Sequence, residues 1–150
     1  MPMLINVKGT PGGDIERHEL PTYPVGPVYA VQKTAYIKKY MNQRVWSYYL
    51  REVLMPDIDC PSVILEDEVI SAAYLQPLPA NTTSVLQPLD VGVMGPFKQM
   101  YRSEWIKEEK VFTAAEKRLA MIKRSIKVWD AMKEDTIRKS FEKALTIFEI

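Results

Sequence analysis

Apolar residues in this chain fall into short runs with strand character and longer stretches with a helical period. Met3 to Val7 is a short apolar run that stops at Lys8-Gly9, which predicts a strand, and Val28 to Val31 predicts a second. Between them, Thr10 to Pro27 carries Pro11, Gly12, Gly13, Pro21, Pro24, Gly26 and Pro27, and reads as a loop. Gly12-Gly13 lacks the Lys-Ser/Thr of a phosphate-binding loop and the third glycine of a dinucleotide fingerprint, so a plain turn is expected. His18 has no Cys or second His near it in sequence, and reads as a solvent-facing loop residue.

Thr34 can cap a brief helical turn over residues 36–40. Asn42 or Gln43 then opens a firmer helix that runs to Leu54 and stops before Pro56. Trp46, Tyr49, Leu50 and Val53 line one face, widened by Val45 and Leu54. That stripe reads as core, because basic residues do not interleave with it as they do on base-stacking surfaces. Pro61 to Leu65 and Val69 to Leu75 read as buried strands, separated only by Glu66, Asp67 and Glu68. Parallel neighbours need a crossover of about a dozen or more residues. Either these strands form an antiparallel hairpin, or an intervening segment has been lost.

The rest is helical. Pro88 suits a first helical turn, where its missing N–H costs nothing. Met94, Phe97, Tyr101 and Trp105 follow at steps of three and four, giving a helix that reaches about Glu109. Thr113-Ala114-Ala115-Glu116 is a capping box. Ala115, Leu119, Ile122, Ile126, Trp129 and Met132 then form the clearest apolar stripe, with Lys117, Arg118, Lys123, Arg124 and Lys127 on the other sides. A last helix from about Asp135 to Phe148 aligns Ile137, Phe141, Leu145 and Phe148.

Composition narrows the class. With 150 residues, 47% hydrophobic and 26% charged, the chain has the make-up of one globular domain, not of a disordered tract. A single cysteine, Cys60, cannot form an internal disulfide. The apolar start, Met1 to Ile5, is too short for a secretory signal, and no apolar run has membrane-spanning length, so no membrane partner is expected. The net charge of +1 hides an asymmetry: residues 1–97 hold 7 Lys/Arg against 10 Asp/Glu, and residues 98–150 hold 13 against 9. A basic second part is compatible with nucleic acid, and equally with a solvated helical face.

Asp90 stands two residues into the helix that Pro88 opens, where the helix dipole favours a carboxylate. Such a carboxylate can hold a metal ion. It can also be a plain helix-start aspartate, which is the simpler reading on physical grounds alone.

The stretch Leu78-Pro79-Ala80-Asn81-Thr82-Thr83-Ser84-Val85-Leu86-Gln87-Pro88-Leu89-Asp90 resembles the Leu-Pro-x-Asn-Thr-Thr-Ser-x-x-Gln-Pro-Leu-Asp signature of the DDE superfamily endonucleases of the pogo/Tigger/jerky group. These are transposases and transposase-derived proteins, including relatives of centromere-binding protein B. Lys8 to Gly13, Tyr29 to Lys33 and Val45 to Leu54 also resemble that family, in the right order. The resemblance implies an α/β, ribonuclease-H-like core fragment with a helical C-terminal part: a partial endonuclease-like domain over residues 1–110 and a helical extension over 111–150.

Enzymes of this group cut and join DNA with three carboxylates that hold two divalent metals, Mg²⁺ or Mn²⁺. Carried over, Asp90 matches the third acid, a catalytic residue and metal ligand. Asp67 is either a displaced second acid or the tail of a lost helix. The strand bearing the first acid would precede Met1. A truncated and internally deleted domain is therefore expected, inactive as a nuclease, with Mg²⁺ or Mn²⁺ or no cofactor. Weak, non-specific DNA binding is expected through Lys117, Arg118, Lys123, Arg124 and Lys127, in the nucleus. Uncovered sheet edges would invite self-association or prevent a stable fold altogether. The alternative is a non-catalytic module whose helices bind protein partners.

Overall fold

The computed structural model describes residues 2–33, 43–54, 63–64, 74–75 and 87–145. The chain divides into two compact units, Met1–Asp59 with Val111–Ile126, and Cys60–Lys110 with Lys127–Ile150. The turn expected over residues 36–40, Cys60, Asp67 and Phe148 lie outside the described residues.

In the first unit, β1 (Leu4–Lys8) and β2 (Val28–Gln32) pair in parallel, with Leu4 opposite Val28 and Lys8 opposite Gln32. Both strands stand where the apolar runs predict. Gly9 N–H donates to the Gln32 carbonyl at 3.0 Å and Val28 N–H to Met3 at 2.9 Å, extending the ladder at both ends. The Pro/Gly-rich connection is more ordered than a plain loop. Gly12 turns with a φ of 74°, which only glycine adopts cheaply, and Gly13 N–H closes the turn on the Thr10 carbonyl at 2.9 Å. A five-residue π-helical turn (Ile15–Glu19) and a 3₁₀ turn (Leu20–Thr22) follow. This connector lends Ile15, Leu20 and Tyr23 to a core built on Val7, Val31 and Ile122. Strand alternation sends Ile5, Val7, Tyr29 and Val31 to that same side.

Helix α1 (Gln43–Tyr49) continues into a π-helical turn (Leu50–Leu54), as the periodicity up to Leu54 predicts. Its buried residues are Val45, Leu50 and Val53. Trp46 and Tyr49, expected at the centre of the core stripe, are half-buried and stack on each other with ring centroids 5.4 Å apart. The buried face is therefore rotated toward Val45.

In the second unit, β3 (Val63–Ile64) and β4 (Tyr74–Leu75) pair in parallel, Val63 with Tyr74 and Ile64 with Leu75. This overturns the hairpin alternative, although only residues 65–73 intervene. A π-helical turn (Leu89–Val93) leads into α2 (Met94–Lys107). The Gln87 carbonyl accepts from Asp90 N–H at 3.1 Å and from Val91 N–H at 3.0 Å, so the helix opens at Pro88 as expected. Met94, Phe97 and Tyr101 are half-buried, but Trp105, the next residue of the stripe, is 63% exposed. Phe97 packs on Tyr101 at 6.0 Å and meets Trp129 edge-on at 6.4 Å.

Helix α3 (Ala114–Asp130) opens on the predicted box: Glu116 N–H donates to Thr113 Oγ1 at 3.2 Å, and Glu116 Oε2 accepts from Thr113 N–H at 2.9 Å. Leu119, Ile122 and Ile126 enter the first unit's core, as the stripe predicts. Arg124 and Val128, off that stripe, are buried as well.

Helix α4 (Glu134–Leu145) buries Ser140 and Ala144, while Phe141 is exposed. The stripe through Phe141 is thus not the buried face. The cause is a close backbone approach. A Cβ placed on Gly92 would lie 2.6 Å from Ser140 Cβ and 3.2 Å from its Cα. Only small residues fit at such a contact, so α4 turns its Ser/Ala side to the turn beneath Asp90.

Candidate functional site

Asp90 occupies the first turn of the Leu89–Val93 segment and is exposed. Two residues on, Gly92 sits against Ser140, and Val93 is fully buried. The carboxylate is therefore presented to solvent by a turn whose far side is locked into the second unit. That is a firm mounting for an acid at the positive end of a helix. Among the described residues, no three of His, Cys, Asp and Glu side chains converge to hold a metal ion. A single exposed carboxylate does not by itself fit a two-metal centre, which needs several oxygen donors around each cation.

The five basic residues of α3 have different fates. Lys117 and Lys123 are exposed. Arg118 is half-buried and holds Glu19 with two hydrogen bonds, Nε at 2.8 Å and Nη2 at 2.5 Å. That pairing holds the Glu19 carboxyl below the usual carboxylate range and raises the guanidinium further. Arg124 is buried and has interactions of its own. Lys127, in the second unit, bonds Glu104, which also accepts from Lys107 at 2.9 Å. The two lysines together pull the Glu104 pKa down to about 2. Periodicity places these residues off the apolar stripe, but it does not show which ones meet an acid distant in sequence.

The family model for DDE superfamily endonucleases matches residues 34–141, a span that includes Asp90 and all five basic residues. The chain belongs to the DDE superfamily endonucleases. Membership relates it to transposases and endonucleases and to nucleic-acid-associated function. Members of the DDE superfamily typically use divalent metals. No curated protein and no solved structure matches the chain. Among the described residues, no helix is long and apolar enough to cross a membrane.

Proposed function

We propose that the chain is a transposase-derived DDE domain that holds nucleic acid and, as these 150 residues, does not cut it. The observation that carries this reading is the family match over residues 34–141 together with the state of its acids. Asp90 is the position that corresponds to a catalytic acid, and among the described residues no cluster of metal ligands surrounds it. The α/β make-up with parallel pairs β1–β2 and β3–β4 supports a ribonuclease-H-like ancestry. Descent from transposases fits a nuclear protein.

Binding in this reading is electrostatic. Lys117 and Lys123 stand exposed on α3 and meet phosphates, releasing counterions. Arg118 serves its pair with Glu19 instead. The test is fluorescence anisotropy with a labelled duplex over a salt series, with and without Mn²⁺. Affinity should fall steeply with salt, and the double variant Lys117→Glu, Lys123→Glu should lower the log–log slope by about 1.8. Mn²⁺-dependent cleavage that disappears in Asp90→Asn would overturn the inactivity.

A second reading has its own observation. At the last turns of α2, Trp105 and Ile106 are 63% and 82% exposed. Adjacent large apolar side chains in solvent are what a helical protein-binding module presents. Salt-insensitive association, weakened by Trp105→Ala, would favour this reading over phosphate contacts.

A further inference from the structure

A cleft of about 330 Å³ opens in the first unit, alongside β2 and α1. Its apolar wall is Ala30 and Val45, and two tyrosine rings, Tyr29 and Tyr48, stand in it. Arg44 and Arg51 line the same space, with Glu16 beside them. Arg44, Tyr48 and Arg51 are spaced four and three apart on one side of the helical segment, so the order along the cleft is basic, aromatic, basic. The Trp46/Tyr49 stripe lacks that interleaving. The next face of the same segment has it.

The groups are held in place. Arg44 Nη2 donates to the Val31 carbonyl at 3.3 Å and lies 3.8 Å from Glu16 Oε1. Glu16 is itself tied by its other oxygen to Gly12 N–H. These contacts occupy part of the Arg44 guanidinium, whose side chain remains 59% exposed. Arg51 donates Nε to Glu52 at 3.0 Å, and its side chain is 70% exposed. The Tyr29 hydroxyl donates to the Pro24 carbonyl at 2.7 Å, which fixes its ring. Tyr48, half-buried, lines the same cleft with an aromatic ring, the kind of surface a planar group stacks on.

The geometry points to a site for one unpaired nucleotide: a base against Tyr48 and the Ala30/Val45 wall, and its phosphate on Arg44 and Arg51. Guanidinium forks match phosphate oxygens in pairs, and aromatic rings accept any base on a π-face. The volume lies at the small end of the roughly 300–1,000 Å³ of ligand pockets, enough for a single nucleotide and far too little for a duplex. A paired base is stacked and cannot enter, so the source is a single-stranded segment or a free nucleotide. The single-stranded source rests on the nucleic-acid reading proposed above; the cleft's ligand chemistry does not.

The test has two arms. In the first, a nucleoside monophosphate (dTMP) is titrated into the wild-type chain while the arginine side-chain N–H signals are followed by NMR. The signals of Arg44 and Arg51 should shift, and saturably. In the second, a labelled oligo(dT) strand and a duplex of equal length are bound by wild type, Tyr48→Leu and Arg51→Gln, with circular dichroism confirming that each variant folds. Single-strand affinity should drop by roughly tenfold in each variant, while duplex affinity stays unchanged. Strand and duplex binding that both ignore the variants, with no arginine shifts, overturns the cleft and leaves the electrostatic reading standing. Arginine shifts with dTMP but no binding of either DNA makes the ligand a free nucleotide, and it is then the nucleic-acid reading that falls.

Discussion

Arg118 Nε and Nη2 close on the two carboxylate oxygens of Glu19 at 2.8 and 2.5 Å, joining residues 99 positions apart in sequence. The Tyr23 hydroxyl donates to the same carboxylate at 3.1 Å. One arginine of a basic helix is thereby spent on fastening that helix to the connector between β1 and β2. Burial, and then the bond to Glu19, push the Tyr23 hydroxyl above its ordinary pKa.

That pair separates stability from binding. Arg118→Ala leaves a half-buried carboxylate without its partner and should cost about 1–3 kcal/mol in urea unfolding. Lys123→Ala, on an exposed position, should change stability by less than about 0.5 kcal/mol. DNA affinity should respond in the opposite order. A large loss of duplex binding from a folded Arg118→Ala, with none from Lys123→Ala, would refute the assignment of Arg118 to the fold.

The Glu104 carboxyl should make the second unit acid-sensitive. Its pKa is lowered from an ordinary 4.5 to about 2, first by the hydrogen bond from Lys127 and then by that from Lys107. A depressed carboxylate pKa means that the unfolded state binds the proton more tightly. The stabilisation is therefore complete above pH 4.5 and is lost as pH falls toward 2. Thermal melts between those limits should show a steeper decline in wild type than in Glu104→Gln. Parallel declines would show that other groups set the acid limb.

Gly92 and Gly95 make a matched pair. A Cβ at Gly92 would collide with Ser140, its backbone included, whereas nothing lies within 4 Å of a Cβ at Gly95. Gly92→Ala should destabilise by about 1–3 kcal/mol through overpacking. Gly95→Ala, inside α2, should stabilise by about 0.5–1 kcal/mol through helix propensity. Equal effects at the two sites would mean that α4 does not press on the turn that carries Asp90.

The box at the start of α3 has a local readout. Thr113 Oγ1 accepts from Glu116 N–H at 3.2 Å, and Glu116 in turn accepts from the Thr113 and Phe112 backbone N–H groups. Those bonds, led by the one from the Thr113 backbone, lower the Glu116 pKa. Thr113→Ala should cost about 1 kcal/mol. Amide exchange should speed up at Glu116 and leave the amides near Ile126 unchanged. Uniform acceleration along the helix would point to global unfolding instead of a frayed end.

Local order was legible before any tertiary contact was known. Pro88 opens its helix, Thr113 and Glu116 cap theirs, and the runs Met3 to Val7 and Val28 to Val31 fall on strands, because each signal depends on atoms within a few residues of chain. The family, too, was readable in the Leu78–Asp90 signature, and the match over residues 34–141 bears it out. Burial followed a different logic. Ser140 and Ala144, not Phe141, form the packed side of α4, because the backbone at Gly92 comes too close for a larger group. Arg118 turns inward to Glu19, and the arginines flanking Tyr48 line a cleft with Tyr29 and Ala30 of β2. Periodicity records which side chains share a face. Which face meets a partner, and whether a charge finds an acid or water, is decided by segments far away in sequence that only the folded chain brings together.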